Sequence, residues 1–195
     1  MDESQLVERA RRGDLSAYDE LVQAHQAAAF RAAYLLTGNA ADAQDAAQEA
    51  FIRAFDALGR FDASRPFRPW LLRIATNAAL NRLKASRRRQ AMAERYGAKT
   101  LQNDHSPAIE ASVIQRERGR RVQQAVGLLK PGDRQLIVLR YFLELSEAEL
   151  ARTFDVAAGT IKSRLHRALA RLRDTIRAHD PELLESDLHP ANRQT

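Results

Sequence analysis

The chain has 195 residues, with 31 Lys+Arg against 25 Asp+Glu, a net charge of +6 and no cysteine. That length allows one domain or two small ones, and the lack of cysteine excludes a disulfide framework, a thiolate metal site and a cysteine nucleophile, in keeping with a reducing cytoplasm. No apolar run approaches the roughly 18 residues of a membrane span, and the acidic opening M-D-E-S-Q-L-V-E-R lacks the apolar centre of a signal peptide.

With 8 Gly, 6 Pro and few β-branched runs, the composition favours helices. Leu6, Val7 and Ala10, then Ala17, Leu21 and Ala24, repeat at helical spacing around a Gly13-Asp14 turn. A third run from Gln26 to Leu36 ends at Thr37-Gly38-Asn39, where glycine supplies a C-terminal cap. Asp42 opens a helix to about Leu58 whose apolar side takes Ala46, Ala50, Phe51, Phe55 and Leu58, with Ile52 flanking it. Arg60 to Pro69, with two prolines, reads as an ordered loop, and a helix resumes at Trp70 and runs into S-R-R-R-Q. From Tyr96 to Pro107 the periodicity fails, which predicts a flexible linker.

A second helical set begins near Ile109 and reaches Leu129, and Pro131 starts the next helix. Ser146 with Glu149 forms a capping box for a short helix ending at Asp155-Val156, and Gly159-Thr160 open a last helix to Arg177. The acidic tail from 178 is expected to be disordered. The whole is predicted to be all-α, with two small domains at 1–93 and 111–177, a linker at 94–110 and a tail at 178–195.

Charge is segregated along this frame: −5 over 1–58, +9 over 59–100, 0 over 101–155, +5 over 156–177 and −3 beyond. Two basic centres far apart in sequence suit an extended polyanion, most simply nucleic acid, although a solvated basic surface gives the same count. On the last helix, Ile161, Leu165, Ala168, Leu169, Leu172 and Ile176 form the predicted buried stripe. Thr160, Ser163, His166 and Arg167 lie opposite, with Lys162, Arg164 and Arg171 on the flanks. A core stripe behind a donor-rich outer face, just after a short turn, is what a recognition helix needs to enter the major groove.

On the earlier basic helix, Trp70, Arg73, Asn77, Asn81 and Lys84 share one side, and Arg87, Arg88 and Arg89 follow. Just before it, F-D-A-S-R-P-F-R-P-W mixes Phe61, Phe67 and Trp70 with Asp62, Ser64 and Arg65. Aromatics beside cations hold unstacked bases, or the aromatics are simply core; both readings stand. Catalysis lacks a constellation: His25, His105, His166, His179 and His189 are scattered, and neither a metal site nor a cofactor is expected.

The segment D-A-Q-D-A-A-Q-E-A-F-I-R-A-F-D-A-L-G-R-F with F-R-P-W-L-L-R-I-A-T-N-A-A-L-N-R-L resembles region 2 of an extracytoplasmic-function sigma factor of bacterial RNA polymerase. L-K-P-G-D-R-Q-L-I-V-L-R-Y-F-L-E-L-S-E-A-E-L-A with G-T-I-K-S-R-L-H-R-A-L-A-R-L-R resembles region 4. The resemblance implies a promoter-specificity subunit without enzymatic activity. Asp42, Asp45, Gln48 and Glu49 would dock on the clamp helices of the polymerase's largest subunit, and the second domain on the flap of the second-largest. The loop with Phe61, Asp62, Ser64 and Arg65 would capture a flipped −10 base, flanked by Trp70, Arg73, Asn77, Asn81, Lys84, Arg87 and Arg88. Thr160, Lys162, Ser163, Arg164, His166, Arg167 and Arg171 would face the −35 duplex. An anti-sigma partner is a further expectation. The competing reading is a free-standing helix-turn-helix regulator that binds operator duplex and uses its first half as a sensor or dimerisation module.

Overall fold

The structure, a computed structural model, describes residues 2–95 and 113–185. Every regular element among these residues is helical, with no strand among them. Helix α1 (Glu3–Arg11) turns through Gly13, whose φ of +93° lies where glycine carries no steric cost, into α2 (Leu15–Thr37). Asp14 caps α2 by accepting the Ala17 N–H, and Gly38 closes it at φ +69°. Asn39 then caps α3 (Ala40–Ala57) by accepting from Asp42 N–H, and a 3₁₀ turn at Leu58–Arg60 leads to the loop before α4 (Phe67–Arg95).

Alanine dominates the α2–α3–α4 contacts. Ala29, Ala32 and Ala33 of α2, Ala43, Ala46 and Ala50 of α3, and Ala75, Ala78 and Ala79 of α4 are buried, so the three helices meet on methyl groups rather than long side chains. Larger side chains fill the end of the bundle near the loop, where Leu21, Leu58, Phe61, Phe67 and Leu71 form a separate cluster with Leu6 and Val7 of α1.

The second half comprises α5 (Val113–Leu128), α6 (Pro131–Ile137), a π turn at Val138–Phe142, α7 (Glu147–Phe154) and α8 (Ala158–His179). Pro131 occupies the first turn of α6, where its missing N–H has no intrahelical partner to lose. Buried Arg134 donates to the carbonyls of Gly127 and Leu129 and so closes the end of α5 onto α6; burial first, then Arg87, pushes its guanidinium down to about 10, leaving it charged at neutral pH. At α7, Ser146 accepts from Glu149 N–H while the Glu149 carboxylate accepts from Ser146 N–H at 2.8 Å, which is the expected capping box. Asp155 takes the left-handed conformation at φ +54° and turns the chain into α8, whose Ile161, Leu165 and Ala168 are buried.

Several expectations are corrected. The predicted separate runs at Ala17 and Gln26 are one helix, α2, because nothing between them breaks helical geometry. Helix α4 begins at Phe67 rather than Trp70: Pro69 sits within its first turn, where proline is tolerated. Ile52 and Phe55 are not core but 58% and 42% exposed, and Leu169 is likewise exposed at the edge of the α8 stripe. The tail, predicted to be disordered, continues α8 to His179 and forms a turn of helix, α9 (Glu182–Glu185). Leu183 is buried with Ala125 and Ile176, and Arg121 clasps the Asp180 carboxylate with a 2.6 Å bond from Nε, holding that carboxyl below its usual range. The linker predicted at 94–110 lies outside the described residues except for Glu94 and Arg95, which belong to α4, and 186–195 of the tail also lie outside.

Replacing Ser146 by Ala is expected to cost about 1 kcal/mol in urea unfolding, the usual worth of an N-cap. Burial pushes the Glu149 carboxyl up, but Ser146's two bonds, with Arg68 and Arg152, outweigh it and hold the group below its ordinary 4.5. The unfolded state therefore takes up the proton first, so this stabilisation is complete above about pH 4.5 and disappears as pH falls through the folded-state value. Acid unfolding curves should show Glu149→Gln lacking that fraction of the pH dependence.

Candidate nucleic-acid interface

Helix α8 presents one exposed cationic surface. With Ile161, Leu165 and Ala168 turned inward, Lys162, Ser163, Arg164, His166 and Arg167 are all exposed, Thr160 half-buried. Arg167 Nε donates to the Ser163 carbonyl at 3.3 Å, and Ser163 Oγ to the Thr160 carbonyl at 3.0 Å, so both side chains lie along the helix and retain free donor or acceptor capacity. Arg171, one turn on, is paired with Asp133 at 2.7 Å.

The second surface is built around the loop between the 3₁₀ turn and α4. Asp62 organises it: one carboxylate oxygen accepts Ser64 N–H at 3.0 Å and Ser64 Oγ–H at 2.7 Å, and the other accepts Arg65 Nε at 3.2 Å. Those bonds, Ser64's side chain foremost, hold the Asp62 carboxyl below its ordinary value and keep it an anion. Phe61 and Phe67 are buried, which settles the open alternative for these two rings in favour of core. Trp70 stays half-buried with its ring 4.5 Å from that of Phe61, and the two border an open cleft of about 380 Å³ that Arg65, Arg73 and Arg152 also line. Further along α4, Asn77, Asn81, Lys84, Arg87 and Arg88 are exposed on the same helix.

Helix α3 carries the third surface. Asp45 and Gln48 are exposed and Asp42 and Glu49 half-buried. Arg82 of α4 reaches across to Asp45 at 2.9 Å and to Glu49 at 3.5 Å, and Arg53 also pairs with Glu49. Ile52 and Phe55, absent from the sequence prediction of this face, stand exposed beside it. Helical spacing sets both off the buried stripe of Ala43, Ala46, Ala50 and Ala54, so their exposure follows from their place around α3.

Both halves of the chain match known families. Residues 21–89 match the family model "Sigma-70 region 2" and residues 119–172 "Sigma-70, region 4". The chain belongs to the extracytoplasmic-function sigma factors of the sigma-70 family. It is 33% identical over 178 residues to the ECF RNA polymerase sigma factor SigW of Bacillus subtilis, covering 88% of this chain and 95% of that one. It is 36% identical to the RNA polymerase sigma-H factor of Pseudomonas aeruginosa, covering 85% and 89%. A structure of CnrH in complex with the cytosolic domain of CnrY is similar over 91% of this chain and 99% of that one, with TM-score 0.65 and 27% identity. A region 2 match over the first half sets aside the free-standing operator-binding regulator, whose first half would be a sensor. As a sigma factor the chain directs RNA polymerase to promoters.

Regions 2 and 4 are in direct contact. Val126, Leu136, Ile137 and Leu139 join Leu36, Leu72, Ala78 and Ala79 in one apolar cluster. Arg68 Nη2 donates to the Leu143 carbonyl at 3.0 Å, Arg73 to the Thr153 carbonyl while its guanidinium lies 5.1 Å from the Phe154 ring centroid, and Gln123 to the Tyr34 carbonyl at 3.2 Å. Gln135 Nε2 donates at 2.8 Å both to Thr76 Oγ1 and to Asn77 Oδ1. Arg73 and Asn77 of the predicted −10 set are thus engaged by region 4. Gln135→Ala should lower the free energy of unfolding by about 1 kcal/mol, the net worth of such bonds, and increase the radius of gyration in small-angle scattering as the two regions loosen.

Proposed function

We propose that the chain initiates transcription by holding promoter DNA at two places while bound to core polymerase, using a region 2 unit at 1–93 and a region 4 unit at 111–177. The observation that carries this reading is the pair of exposed cationic faces, one in each matched region and each backed by core. Lys162, Arg164 and Arg171 neutralise −35 phosphates, while Thr160, Ser163, His166 and Arg167 meet base edges in the major groove. Asp62, Ser64, Arg65 and Trp70 hold a flipped −10 base, with the exposed flank of Trp70 as the stacking plane and the buried Phe61 ring behind it. Arg73, Asn77, Asn81, Lys84, Arg87 and Arg88 line the separated strand.

The mechanism is binding energetics. Unstacking a base costs a few kcal/mol and stacking on an aromatic plane returns about 1 to 3, so capture offsets much of the cost of opening. On this reading the chain acts as a non-catalytic subunit. Asp42, Asp45, Gln48 and Glu49 dock on the clamp helices of the largest subunit, and exposed Ile52 and Phe55 extend that surface with the apolar area a stable contact needs. Region 4 also packs on the flap of the second-largest subunit. No described helix is long and apolar enough to cross a membrane, and the proposed site of action is the cytoplasm. An anti-sigma protein that grips both regions is the proposed regulator.

Run-off transcription with purified core polymerase on a pool of genomic fragments tests the reading, and promoter-specific transcripts are expected only when the chain is added. Their absence would overturn it. Arg167→Ala is expected to cost about 1 to 3 kcal/mol on the preferred −35 sequence and little on others. An equal loss on every duplex would remove Arg167 from base reading. Replacing Arg87, Arg88 and Arg89 together should weaken binding on all sequences and flatten its salt dependence by about 0.9 in log–log slope for each phosphate no longer neutralised.

A further inference from the structure

Helix α1 lies ahead of the segment matched to region 2, yet it reaches the base-capture loop directly. Glu3, in its first turn, accepts the backbone N–H of Phe67 at 3.2 Å through Oε1 and the Nε2–H of His25 at 2.8 Å through Oε2. Phe67 opens α4 between Pro66 and Arg68, and Pro69 offers no N–H, so the first turn of this long helix has few donors and Glu3 holds one of them. A carboxylate at that end also meets the positive pole of the helix.

His25 links this contact to the aromatic rings. It is 8% exposed, and its imidazole lies 5.5 Å from the Phe67 ring. Phe67 in turn packs edge-on to Phe61 at 5.9 Å and against Trp70 at 5.5 Å. One carboxylate therefore fixes both the backbone where α4 begins and the ring behind it, and Trp70 is one helical turn away. Asp62 stabilises the outer part of the loop through Ser64 and Arg65, but none of its bonds reaches α1, α2 or α4.

We infer that Glu3 and His25 are positioning residues for −10 base capture, setting the plane of Trp70 through Phe67. This rests on the proposed role of Trp70. Neither residue needs to touch DNA. Their effect is on single-strand binding, because α8, which carries the duplex contacts, is in another region.

The test uses holoenzyme reconstituted from core polymerase and the full chain, with Glu3→Ala, His25→Ala, His25→Gln and Trp70→Ala. Anisotropy reads affinity for a labelled single-stranded oligonucleotide carrying the −10 element mapped by run-off transcription, and for a labelled −35 duplex. Trp70, the one tryptophan, reports its own surroundings by emission in the free chain. Glu3→Ala and His25→Ala are expected to weaken single-strand binding about five- to tenfold, the worth of a misplaced stacking partner, while −35 affinity stays within about twofold. Both should shift Trp70 emission to the red. His25→Gln, whose amide N–H can still meet Glu3, should restore affinity and emission. Unchanged single-strand binding in Glu3→Ala and His25→Ala, with a clear loss in Trp70→Ala, would overturn the inference and leave base capture standing. Equal losses on both DNAs, or a loss that His25→Gln does not recover, would assign the pair a merely structural role and overturn it too. No effect of Trp70→Ala would remove base capture itself, and the inference with it.

Discussion

The close approach of α2, α3 and α4 on alanine methyls is the constraint on which the rest depends. Helices that meet on small residues can approach closely, and larger side chains such as Phe30, Phe51 and Ile74 pack around the alanine contacts. Arg82 of α4 is thereby near enough to α3 to reach Asp45 and Glu49. Bulky rings also collect at the end of the bundle, where the loop lies. A larger residue at Ala46 or Ala75, both fully buried, would therefore disturb the proposed polymerase-binding and DNA-binding surfaces together, since the same seam sets the distance between them.

The two surfaces proposed to face DNA differ in build. Helix α8 is rigid, backed by a continuous buried stripe and entered through a capped helix and a single left-handed residue, which suits a duplex whose groove already has the right shape. The region 2 surface is a cleft with a half-buried ring at its edge, which suits a base that must first leave its stack. A rigid donor array is able to discriminate among base edges, whereas a stacking plane accepts any base and leaves discrimination to the polar groups around it. Division of the task between the two explains why one chain of this size needs both.

Much of this is legible from residue order alone. The capping box at Ser146, the glycine stop at Gly38, the start at Pro131 and the inward stripe of α8 are local signals, decided by neighbours within a turn or two, and the structure has each of them. What escapes the sequence is long-range. Nothing near Gln135 in the chain says that its amide meets Thr76 and Asn77, nothing near Glu3 says that it meets Phe67, and nothing near Leu183 says that it has a buried seat against Ala125 and Ile176. Apolar residue type alone suggests a core role for Ile52 and Phe55, whereas helical spacing sets both off the buried stripe of Ala43, Ala46, Ala50 and Ala54. Charge alone predicts disorder for the acidic tail, but Leu183 and Asp180 find specific partners in α5.

Contact between the two regions has an energetic consequence for promoter binding. Arg73 and Asn77 cannot offer a strand the atoms they already give to region 4, so a proposed bond from those atoms replaces one to Thr153 or Gln135, while the remaining donors of each side chain could add to it. Exchange of one hydrogen bond for another contributes little net free energy, as exchange with water does in folding. The apolar cluster shared by Leu72 and Leu139 contributes more, and its stabilisation disappears on separation unless another surface covers it. Core polymerase provides many surfaces at once and can offset that cost, whereas a short stretch of DNA cannot. A chain closed in this way should accordingly discriminate between free DNA and DNA on the enzyme, which is the property a promoter-specificity subunit needs.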